Sequence, residues 1–168
     1  MDDTRRVSDP WLEPRTVSIR VDGSVSAVYR LVSDVRRIGE WSPECRSAVW
    51  LEDRRGPGAR FRGSNRSGLN RWSRICEVLV DDRDREFAWR TVPGGPTMDD
   101  STEWSFVLEP AGVGTLLTQR MQMVKKPQAW FRPYIRLTMR HHLDMRVQML
   151  ATLDAIRVSA ETESNTRP

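Results

Sequence analysis

The chain has 168 residues, 38% hydrophobic and 30% charged, with a net charge of +4, which fits one soluble globular domain with a core that needs no staples. Its two cysteines, Cys45 and Cys76, exclude a disulfide framework and fit a reduced, cytoplasmic setting; no apolar run reaches membrane-span length, and "MDDTRRVSDPWLEP" has no signal-like apolar core. Lys125 and Lys126 are the only lysines among 27 bases, and the arginines are scattered among 23 acids, which argues against nucleic acid as a partner.

Residues 1–14 carry two prolines and no period, and read as a flexible tail. In "RTVSIRV" Val17, Ile19 and Val21 alternate with Thr16, Ser18 and Arg20, the pattern of a half-buried strand. Ser24 is placed to cap a helix carrying Val25, Val28, Leu31 and Val32 at helical spacing. A second short helix, "VRRIGEW", must end at Trp41, because Ser42 precedes Pro43 and is pushed out of helical geometry. Six alternating runs follow, "SAVWLED", "ARFRGSNR", "RWSRICEVLVDD", "REFAWRTV", "STEWSFVLEP" and "GTLLTQRMQMV", with turn residues between them. Their short spacing predicts an antiparallel meander. From Pro133 to about Ser159 the spacing predicts one long helix with Ile135, Met139, Leu143, Leu150 and Leu153 on one face. The terminal stretch 161–168 is polar and reads as a second tail. The fold class is therefore α+β: a curved seven-stranded antiparallel sheet around a long C-terminal helix, with two short helices after the first strand.

The segments "SDVRRIGEWSPEC", "PGARFRGSNRSGLNRWSRICEV", "EFAWR" and "TEWSFVLEP", in this order of elements, resemble the SRPBCC superfamily, START-like helix-grip proteins, in its polyketide cyclase/dehydrase and lipid-transport-like branch. The resemblance spans about residues 15–160, taken as the domain. It implies a helix-grip fold with a deep hydrophobic cavity between sheet and helix. It also implies a spread of functions: carrying lipids or steroids, cyclising polyketides, binding aromatic compounds. Fold alone does not choose among them.

Candidate cavity residues come from faces shared along the elements. Phe61 lies on the third strand; Trp72 and Arg74 share a face with Cys76; Phe87 pairs with Trp89, and Trp104 with Phe106. Trp41 either closes the cavity mouth or plugs the core. On the long helix Met139, Leu143 and Leu150 form a stripe, with His142 and Arg146 four apart beside it. A cavity-facing Arg146 would need a partner or a ligand anion; the alternative is that it reaches solvent. His141 and His142 project about 100° apart on a helix, which argues against a shared metal. Neither a nucleophile elbow nor a phosphate-binding loop is present, and the sequence gives no reason for a metal or other cofactor. Both thiols read as small buried hydrophobes. "KKPQAWFRPYIR" mixes bases with Trp130, Phe131 and Tyr134, and suits either the sheet edge or transient contact with a membrane or partner.

Three functions remain open: a carrier of an aromatic, polyketide-like or lipid-like molecule, a cyclase, aromatase or dehydratase, and a partner-binding module. In an enzyme, His142 or Tyr29 would move protons and Arg146 or Arg74 would stabilise an enolate. The sequence does not choose between monomer and homodimer.

Overall fold

The computed structural model describes residues 9–165; the outer ends of both expected tails lie outside that range. Seven strands form one antiparallel sheet in the order β1-β7-β6-β5-β4-β3-β2. They are β1 (Arg15–Val21), β2 (Cys45–Trp50), β3 (Arg60–Ser67), β4 (Asn70–Asp82), β5 (Glu86–Thr91), β6 (Ser101–Ala111) and β7 (Gly114–Lys125). Alternation in the sequence becomes alternation in space. Phe61 and Gly63 are buried in β3 while Arg60, Arg62 and Ser64 are exposed. Gly68, at φ +58°, supplies the left-handed turn between β3 and β4. A register shift between Val78 and Val80 bends β4.

Between β1 and β2 lie α1 (Val25–Ser33), a 3-10 turn (Val35–Arg37) and α2 (Ile38–Trp41). Ser24 caps α1 by accepting from the Ala27 N–H at 3.3 Å. Gly39 lets α2 approach β2, since a Cβ there would lie 2.3 Å from the Arg46 carbonyl oxygen. The apolar faces of α1, the 3-10 turn and α2 close one end of the curved sheet, packing Leu31, Val35 and Trp41 with Phe87, Phe106 and Leu117. Each such fully buried side chain stabilises the fold by about 1.5–3 kcal/mol.

The C-terminal helix departs from the sequence reading. It is split into α3 (Arg132–Thr138), a 3-10 turn (Arg140–Leu143) and α4 (Arg146–Asn165). The backbone leaves helical geometry at Met139 (φ −138°, ψ 53°) and again at Asp144 (φ −145°, ψ 101°). Asp144 then accepts from the Arg146 N–H at 3.2 Å at the start of α4. The break resets the phase, so Met145, just before α4, and Met149, Thr152, Leu153, Ile156 and Ala160 within it are buried. This stripe is longer than the expected one through Leu150, and it wins. Residues 161–165, read as tail, continue α4. Residues 9–14 fold back too, with Trp11 only 5% exposed and packed on Met123, Ile135 and Met139. No described helix is long and apolar enough to cross a membrane.

Candidate functional site

A cavity of about 450 Å³ lies between the concave face of the sheet, α3 and the first half of α4. Its size falls in the range of about 300–1,000 Å³ usual for small-molecule clefts. Phe61, Trp72, Arg74, Trp89 and Trp104 border it from the sheet, Trp41 from the end of α2, and Met139 and His142 from the C-terminal helical segment. Tryptophans on β4, β5 and β6 reach it together because each sits on the inward face of its strand.

Other expected residues lie elsewhere. Phe87 and Phe106 are buried in the solid end of the core, where Phe106 meets Trp41 edge-on at 5.5 Å and Trp89 at 5.7 Å. Leu143 packs beside the Trp11 cluster. Arg146 is exposed and pairs with Asp144 at 3.1 Å, with half its side chain in solvent. Leu150 is 48% exposed. Both readings fail because the break before α4 turns Met145 and Met149 inward in their place. Tyr29 donates its hydroxyl to Asp81 away from the cavity, and burial, followed by that acceptor, raises its pKa.

Polar side chains stand among the aromatic ones in the walls, Asn65, Arg74, Asp100, Gln119 and Gln148 among them. Arg74 donates from Nη1 to the Asp100 carboxylate at 2.8 Å and from Nη2 to the Asp100 carbonyl at 2.7 Å. Its buried Nε has no partner. The indole N–H groups of Trp11 and Trp41 and the side-chain oxygens of Gln119 and Gln148 are also buried without partners, and all belong to residues lining the cavity. These atoms are themselves closed off from the open space, so it is other atoms of the same residues that line the cavity.

Near the Ser42-Pro43 break the Ser42 hydroxyl accepts from the Glu44 and Cys45 N–H groups at 3.3 and 2.9 Å. This turn holds Glu44 at the cavity edge, opposite His141 and His142. Both histidines bond to the Glu44 carboxylate, contrary to the expectation from helical spacing, because the turn that carries them is not α-helical. Arg15 steadies this turn, its Nη2 donating to the Pro10 carbonyl at 2.7 Å and the Leu143 carbonyl at 2.9 Å. Burial raises the Glu44 pKa, but the histidine hydrogen bonds and charges outweigh it and hold the carboxyl below its ordinary value. Burial pushes the Cys45 thiol up to about 11 and that of Cys76 to about 12.

Several lining residues escape the sequence reading: Trp11, Glu44, Asp100, Gln119, Met145 and Met149. Gln119 alone had a clear signal, since it alternates in phase with Leu117, Met121 and Met123. The aromatic run around the start of α3 reaches the cavity. Phe131 and Tyr134 stack at 5.1 Å and line it, while Trp130 stands 63% exposed.

The solved structure of the Polyketide_cyc-like protein Cgl2372 from Corynebacterium glutamicum is similar at 30% identity, with a TM-score of 0.61 over 92% of this chain and 96% of that one. An aromatase/cyclase from Streptomyces sp. R1128, Zhui, has a TM-score of 0.69 at 14% identity, covering 89% of this chain and 94% of that one. The di-domain aromatase/cyclase StfQ of the steffimycin pathway gives 0.70 at 13% identity over 94% of this chain, which spans 54% of that protein. At these lower identities the likeness shows the fold alone. No curated protein matches the chain significantly. The sequence profile of the family described as polyketide cyclase / dehydrase and lipid transport matches residues 15–153, which carry the sheet and most of the cavity walls, and the chain belongs to that family.

Proposed function

We propose that the protein binds an aromatic or polyketide-like small molecule in the cavity beneath α3 and α4, and acts as its carrier. The observation that carries this reading is the space of about 450 Å³ walled by Trp41, Trp72, Trp89 and Trp104, with Arg74 in the same wall. A flat apolar body would fill the space among Trp72, Trp89 and Trp104. An oxygen function at its edge would accept from the Arg74 guanidinium, whose residue lines the cavity. A saturated lipid would match the flat indole faces less well, which disfavours it within the same cavity.

A second reading, a cyclase or aromatase, is favoured by the Glu44–His142 pair and Arg74 bordering one space. Cyclisation of a flexible chain needs mainly a fixed shape, with one group to move a proton and another to stabilise an enolate. His142 and Arg74 fill those roles; Arg146 and Tyr29 lie away from the cavity.

Native mass spectrometry of freshly purified protein tests the binding reading. A discrete adduct that is released on denaturation, or one-to-one uptake of an added anthraquinone, supports it. Protein that stays bare and takes up none at saturating probe contradicts it.

A further inference from the structure

Glu44 and His141 are 97 positions apart in the chain, and with His142 they meet at the cavity edge. Their donor atoms all lie within 4.8 Å of one another. His142 Nε2 is 3.1 and 3.2 Å from the two Glu44 oxygens, and His141 Nε2 faces the same carboxylate. The two imidazoles are perpendicular with centroids 4.6 Å apart. The three side chains are 15–26% exposed.

We propose that Glu44, His141 and His142 bind a divalent transition metal ion of the zinc class. Two imidazole nitrogens and one carboxylate are the donor set of a zinc site that keeps further positions open. Bonds of about 2.0–2.2 Å in tetrahedral geometry place neighbouring donors about 3.4 Å apart. The Glu44–His142 separations already approach that edge, so small side-chain rotations admit an ion.

The surroundings hold the donors in place. Ser42 fixes the Glu44 backbone, Arg15 fixes the carbonyl that ends the histidine turn, and Trp72 packs edge-on against the His142 ring at 5.8 Å. Such support is what orients metal ligands. Because Glu44 and His142 border the cavity and His141 stands behind them, the ion's open positions face the cavity. Its natural further ligand is an oxygen on the occupant, a carbonyl, enol or phenol. That last step rests on the binding reading above; the metal site itself does not.

The test uses the full chain without a histidine tag, stripped with a chelator. Cobalt(II) is titrated in while visible absorption is followed, and zinc affinity is measured against a chromophoric chelator. Expected are one equivalent of cobalt with a ligand-field band of low coordination number, and zinc displacing it. Glu44→Gln, His141→Ala and His142→Ala should each weaken zinc binding by at least the ~10–100-fold that losing a supporting partner costs. Circular dichroism checks that each variant folds. Absence of the band in the unaltered protein overturns the proposal without recourse to variants, and marks the cluster as a hydrogen-bonded ion pair. Zinc affinity unchanged in folded variants overturns it as well. A site that binds zinc in protein that takes up no anthraquinone separates this proposal from the ligand reading.

Discussion

Arg74 and Asp100 form a two-point clamp across the cavity wall, guanidinium to carboxylate at 2.8 Å and guanidinium to carbonyl at 2.7 Å, which leaves the Arg74 Nε buried and unpartnered. The clamp neutralises a cation that is 11% exposed and fixes its direction. Asp100→Asn should destabilise the protein by about 2 kcal/mol, below the 3–5 of a fully buried pair, because both partners retain some solvent. Denaturant unfolding measures this; an unchanged midpoint would mean the clamp is worth nothing net.

Arg74→Met should weaken binding of anthracene-9-carboxylate by about 1.5–3 kcal/mol, the range for a charged hydrogen bond. It should weaken 9-methylanthracene far less. Isothermal titration with the two probes decides it, and equal losses would reduce Arg74 to packing.

Helix α4 makes a contrast on adjacent positions. Met149 is 1% exposed and Leu150 is 48% exposed. Met149→Ala should cost about 2–5 kcal/mol by leaving a void under the helix. Leu150→Ala and Arg146→Met should each stay within about 0.5 kcal/mol, as surface changes do. Thermal unfolding of the three variants checks the phase of the helix, and the reverse ranking would refute it.

The thiols should be slow. Burial raises Cys45 to about 11 and Cys76 to about 12, so below those values both remain neutral thiols. Alkylation by iodoacetamide at pH 8 should run far below the rate for the unfolded chain. It should climb about tenfold per pH unit while the fold persists, because only the thiolate reacts. A native rate equal to the unfolded one would contradict the burial.

The strands are legible because burial in a sheet repeats every second residue, and β4, β5 and β6 each carry a tryptophan on the inward phase. The helix break is not, because no glycine or proline marks Met139 to Met145. There Leu143 and Leu150 continue the stripe of α3, while the stripe through Met149 becomes dominant only once the chain has left helical geometry. Trp11 carries no period, so its burial depends on a pocket made by Met123, Ile135 and Met139. Glu44 meets His141 across 97 positions, a relation that exists only in the folded chain.

A flat aromatic molecule seated in the tryptophan-lined space would lie within quenching distance of several indoles. The most direct measurement is tryptophan fluorescence during titration with an anthraquinone, in the unaltered protein and in Thr102→Phe, which places a ring in the cavity from β6. Saturable one-to-one quenching that is lost in Thr102→Phe, with the variant's fold intact, is the predicted result. Quenching that never saturates, or that is the same in both proteins, would contradict the account.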